Sequence, residues 1–113
     1  MNDEVKFRIG DFHFSWDDRK AKANIRKHNV SFDMAAEVFL DNNAIEELDF
    51  TSSEEDRYRI IGKAAFFASP ILFVVFVERY NIDNKQIIRL ISAREATRKE
   101  VQKYVGRNSA RSR

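Results

Sequence analysis

At 113 residues the chain is long enough for one domain that buries about two thirds of the surface its unfolded form exposes, without a disulfide or metal staple. Its 43% hydrophobic and 34% charged residues place it among globular chains rather than disordered ones, and the absence of cysteine excludes disulfides, thiolate zinc sites and cysteine nucleophiles while agreeing with a reducing cytoplasm. The net charge of +2 conceals a segregation: residues 33–56 hold nine acids and no lysine or arginine, whereas residues 85–113 hold nine bases against two acids. If that separation survives in space, one face attracts polyanions; if the two segments pack together, they cancel.

The opening MNDEVKFRIGDFHF has no apolar core of signal-peptide length, and AAFFASPILFVVFV is broken by Ser69 and Pro70 and is too short to span a bilayer. The expectation is a cytoplasmic protein with no membrane partner. Phe12, Phe14 and Trp16 alternate with polar residues, as in a strand with one buried face. Asp17 caps a helix over DDRKAKANIRKH, whose Ala21, Asn24, Ile25 and His28 recur at helical spacing; Asn29 supplies a left-handed stop. Ser31 caps a second helix with Phe32, Ala35, Ala36 and Phe39 inward, so the two helices form a hairpin.

Four strands follow: AIEELDF at an edge, RYRIIGKAAFF, ILFVVFVERY and QIIRLIS, separated by turns at TSSEED, ASP and NIDNK. The apolar run 71–77 reads as a central strand buried on both faces, covered by helices on one side and by a partner or loop on the other. Ser92 and Glu95 fit a capping box opening a final helix at Ala93, and residues 106–113, GRNSARSR, read as a mobile basic tail. The order defines a single α+β domain.

The cations of the last third carry the functional reading. Arg79 shares a strand face with Phe73, Val75 and Val77, and Arg89 shares one with Ile87 and Ile91; a hairpin across NIDNK sets the two on adjacent strands. On a helix begun at Ala93, Arg94 and Arg98 lie one turn apart. Guanidinium groups match phosphate oxygens two at a time and stay charged at any working pH. The alternative for each arginine is a carboxylate partner within the fold.

The run WDDRKAKANIRKHNVSFDMAAEVF, then RYRIIG, LFVVFVER and IIRLISAREATRKE with Tyr104, resembles the BrnT toxins of bacterial type II toxin-antitoxin modules over residues 12–104. The resemblance implies a RelE-like fold and a ribonuclease that arrests translation. It also implies a BrnA-type antitoxin with a ribbon-helix-helix domain, a hetero-oligomer in which operator DNA is contacted only through the antitoxin. Asn29 stands where that family usually has glycine; asparagine also enters the left-handed region, so the helix stop is expected to survive.

RNA cleavage through the ribose 2′-hydroxyl needs a proton acceptor, a proton donor and stabilisation of added negative charge. Arg79, Arg89, Arg94 and Arg98 are the expected phosphate contacts, with Lys20, Lys27 and His28 behind them. For the proton carrier, His28 is either catalytic or a hydrogen-bonded structural histidine, Glu78 either catalytic or an ion-pair partner of Arg79, and Tyr104 either core or a base-stacking platform. His13 and His28 lie fifteen positions apart without a close carboxylate spacing, so no metal or other cofactor is expected. A nucleic-acid-binding module without catalysis is the reading from another class. Open sheet edges at AIEELDF or at residues 12–16 could also receive a partner chain.

Overall fold

The computed structural model describes residues 3–49, 56–64 and 70–111. Two strands come first, β1 (Glu4–Ile9) and β2 (Phe12–Asp17), then α1 (Asp18–His28), α2 (Phe32–Ala36) and a 3₁₀ turn (Glu37–Leu40). After them run β3 (Ile45–Asp49), β4 (Arg57–Lys63), β5 (Ile71–Tyr80), β6 (Gln86–Glu95) and α3 (Arg98–Arg111). The sheet order is β1-β2-β6-β5-β4-β3, antiparallel at every junction except β2 beside β6. The α+β class, the helical hairpin and the four-strand meander are all present. The sheet has six strands because a second N-terminal strand precedes the expected one.

That strand, β1, alternates Val5, Phe7 and Ile9 with Lys6 and Arg8 and turns back at Gly10, whose φ of 56° suits glycine. It covers β2, so residues 12–16 are not an edge; the edges are β1 and, as expected, β3. The expected continuation of RYRIIGKAAFF through Phe66 and Phe67, the end of AIEELDF at Phe50 and most of the TSSEED turn lie outside the described residues.

The helix ends follow the sequence signals closely. Asp17 Oδ1 accepts the backbone N–H groups of Arg19 and Lys20, at 2.8 and 3.3 Å. Asn29 ends α1 at φ 57°, donating its N–H to the Ile25 carbonyl at 2.8 Å, and Ser31 Oγ accepts from Met34 N at 3.2 Å. The start of α3 differs from expectation. β6 continues through Glu95, whose register against Leu72 keeps Ala93, Arg94 and Glu95 extended, and the capping box forms five residues later. Thr97 Oγ1 accepts from Glu100 N at 3.3 Å and Glu100 Oε1 accepts from Thr97 N at 2.8 Å. The helix runs on to Arg111, so residues 106–111, read from composition as a tail, are helical; Ser112 and Arg113 lie outside the described residues.

The two faces of the sheet are covered unequally. On one, α1, α2 and the 3₁₀ turn bury Phe14, Trp16, Phe32, Phe76 and Leu90 in the main core, with Phe39 edge-on to Phe14 and Phe76 at ring separations of 5.2 and 5.0 Å. On the other, α3 covers only the β3–β4–β5 end, where Tyr104 and Val101 pack against Ile45, Ile61 and Ile71. At that end Gly62 lies so close to its neighbours that a Cβ would meet Val38, Ala44 and Asp41 at 3.0 Å.

β6 carries a register shift that decides which side chains reach the second face. Phe76 pairs with Leu90 but Val75 with Ser92, leaving Ile91 as an extra residue. Side chains alternate along a strand, so without the bulge Arg94 would share the helix-covered face with Ile88 and Leu90. With it, Arg94 joins Arg89 on the second face.

Candidate functional site

Where α3 does not reach, the second face forms a groove of about 620 Å³ lined by residues of β1, β2, β5 and β6. Strand register builds it from two rows. One row is Lys6 opposite Ser15 and Ser15 opposite Arg89, with Arg89 opposite Val77. The next is Arg8 opposite His13 and Ile87 opposite Arg79; extending the β2–β6 register by one residue sets His13 beside Ile87. Neighbouring strands lie about 4.8 Å apart and residues two apart along a strand about 6.6 Å. Four permanent cations and an imidazole therefore converge on one half of the face.

Their partners are partial. Arg89 Nη1 donates to both carboxylate oxygens of Glu4 at 2.8 Å and to Ser15 Oγ at 3.2 Å, and the half-buried pair holds the guanidinium on the groove floor. Arg8 Nε donates to the Gly10 carbonyl at 2.9 Å, fixing its stem along the hairpin turn. Lys6, Arg8 and His13 are exposed, whereas Ser15 is buried. Among the described residues Glu4 is the single carboxylate in the groove lining against Lys6, Arg8, Arg79 and Arg89, so their summed charge there is positive.

Of the expected phosphate contacts, the structure brings together Arg79 and Arg89, on adjacent strands as the hairpin required. Arg94 and Arg98 are not one turn apart on a helix: Arg94 belongs to β6, and Arg98 is exposed at the first turn of α3. Arg94 forks onto Glu100, with Nη1 to Oε1 at 2.8 Å and Nη2 to Oε2 at 3.0 Å, and its guanidinium lies 4.1 Å over the Phe73 ring. Burial pushes the Glu100 carboxyl up, but the bonds from Arg94 and Thr97 outweigh it and hold the group below the usual glutamate range. Arg94 is thus engaged in holding α3 to the sheet.

The remaining candidates lie elsewhere. Lys20, Lys27 and His28 belong to α1, which packs on the opposite side of the sheet; the lysines are exposed and His28 is half-buried at the helix end. Glu78 alternates away from Arg79 onto that same side, accepting from the Tyr80 hydroxyl at 3.3 Å. There burial, and then the Glu78 charge, raise the Glu46 carboxyl. Tyr104 is in the second core: its hydroxyl donates to Asp41 Oδ2 at 2.7 Å, and burial, reinforced by Asp41, pushes it up to about 12.

The charge segregation read along the chain is partly cancelled in space, because Lys103 of α3 reaches both Glu47 oxygens of β3 at 2.6 and 2.7 Å. Half of the groove's cations come instead from Lys6 and Arg8. Their signal was present in the alternation of VKFRI before the Gly10 turn, a hairpin pattern that carries its charges on one face. Among the described residues no group of three or more His, Asp or Glu side chains could hold a metal ion, and no helix is long and apolar enough to cross a membrane.

The fold is an α+β sheet backed by helices on one face and carrying a groove lined by arginine and lysine on the other. The chain belongs to the BrnT family: the model of the ribonuclease toxin BrnT of type II toxin-antitoxin systems matches residues 16–100. No individual curated protein sequence matches it.

Proposed function

We propose that the groove is the RNA site of a metal-independent endoribonuclease toxin, with Arg79 and Arg89 on the scissile phosphate and Lys6 and Arg8 on the flanking backbone. The observation that carries this is the convergence of those four cations on the half of the sheet face that α3 does not cover. Guanidinium groups on adjacent strands are spaced to share one phosphodiester, and they stabilise the charge added when the 2′-hydroxyl attacks phosphorus. A phosphate entering the groove replaces Glu4 as the partner of Arg89. The cations supply the charge neutralisation that a metal gives in other nucleases. Cleaving cytoplasmic messenger RNA arrests translation. Restraint comes from an antitoxin of the BrnA type, whose ribbon-helix-helix domain carries the complex to its own operator.

Purified, antitoxin-free protein should cleave a mixed-sequence RNA at low salt without added metal, and in the presence of a chelator. Arg79→Ala and Arg89→Ala should each abolish the new 3′ ends. A protein that shifts RNA in a gel but yields no new ends at any salt would be a binding module instead.

A further inference from the structure

We infer that His13 is the general base of the groove, a role that rests on reading the groove as the RNA site. His13 lies before the stretch that the family model matches, so the family description assigns it nothing. Three observations point to it. The β1–β2 register sets His13 opposite Arg8, and extending the β2–β6 register by one residue places it beside Ile87, on the same sheet face as Ser15, Arg89 and Arg79. It is exposed and lines the groove, while the other histidine, His28, is half-buried at the end of α1 on the opposite side of the sheet. Among the described residues no tyrosine lines the groove, and Glu4, the single carboxylate there, accepts from Arg89 with both oxygens. An imidazole is the side chain whose proton exchange falls in the neutral range.

In the step assigned, His13 takes the proton of the 2′-hydroxyl as O2′ bonds to phosphorus. The P–O5′ bond breaks, and the departing 5′-oxygen takes a proton from water. The products are a 2′,3′-cyclic phosphate and a 5′-hydroxyl, and the hydroxide left behind recovers the proton from the imidazolium. Arg79 and Arg89 hold the phosphoryl oxygens throughout. The charged groups that line the groove together with His13 are Lys6, Arg8 and Glu4 from β1, Arg89 from β6 and Arg79 from β5.

The test compares wild type, His13→Gln and His13→Ala on one RNA between about pH 5 and pH 8. A base must be deprotonated, so the wild-type rate should rise with pH and level off, and the products should end in a cyclic phosphate. His13→Gln should lower the rate by about 10² to 10⁴-fold and lose the acidic limb, while binding of a non-cleavable 2′-O-methyl RNA changes little. Free imidazole added to His13→Ala should restore part of the rate, which loss of a purely structural side chain would not allow. Near-wild-type cleavage by His13→Gln, with Arg89→Ala inactive, would overturn the role of His13 and leave the RNA site standing. Intact RNA with the wild type would overturn both.

Discussion

Asn24 occupies a gap that the strands leave. β2 and β6 pair in parallel at Phe14–Ile88 and Ser15–Arg89, and beyond them Ala93 would face the interior with its backbone unsatisfied. The Asn24 amide fills that place: Oδ1 accepts from Ala93 N at 3.1 Å, and Nδ2 donates to the carbonyls of Ala93 and Val30 at 2.7 and 2.9 Å. One buried side chain thereby ties α1 to β6 and closes the turn after the helix. Asn24→Ala would leave these backbone groups without partners and should cost about 2–3 kcal/mol, lowering the thermal midpoint by roughly 10 °C for a domain of this size. Asn24→Asp should do no better, because a carboxylate cannot donate to either carbonyl. Arg94 belongs to the same scale. Arg94→Lys keeps the charge but loses the fork onto Glu100 and the flat contact with Phe73, so it should lower thermal stability while leaving RNA affinity unchanged. An affinity loss without a stability loss would return Arg94 to the phosphate contacts.

Among elements, α3 is held by side chains more than by a broad apolar face. Its anchors are Arg94–Glu100, Lys103–Glu47, Tyr104–Asp41 and the Asn108 amide on the Asn43 carbonyl at 3.1 Å. The hydrogen bond from Lys103 holds Glu47 below the usual glutamate range, against the opposing effect of burial, and Glu100 is lowered as well. A depressed folded-state value means that the carboxylate stabilises the fold fully above the ordinary 4.5 and loses that contribution as pH falls through the lowered value. Acidification below about pH 4.5 should therefore release α3, seen as falling helical circular dichroism and thermal midpoint, and Glu100→Gln should flatten part of that dependence. The start of this helix also shows where local sequence runs out. Ser92–Glu95 and Thr97–Glu100 both fit a capping box, and only the long-range pairing of β6 with β5 selects the second. The helical hairpin was legible because Asp17, Asn29 and Ser31 act within a few residues of themselves.

At the scale of the whole molecule the sheet sorts charge by face. The central strands could be read from their apolar runs, and the adjacency of Arg79 and Arg89 from one short turn. The parallel contact of β2 with β6, which carries Lys6, Arg8 and His13 to those arginines, joins residues more than seventy positions apart and leaves no periodic trace. The bulge at Ile91 is equally silent, yet it decides the side on which Arg94 emerges. Summed over the molecule, this sorting predicts which cations an RNA strand displaces counterions to meet. For single strands the logarithm of the binding constant falls with the logarithm of salt by about 0.7 per phosphate neutralised. Measured on a non-cleavable RNA, Lys6→Ala, Arg8→Ala and Arg79→Ala should each make that slope shallower by about 0.7. Lys20→Ala and Lys27→Ala, on the helix behind the sheet, should leave it unchanged, whereas the reverse pattern would move the interface to the α1 face.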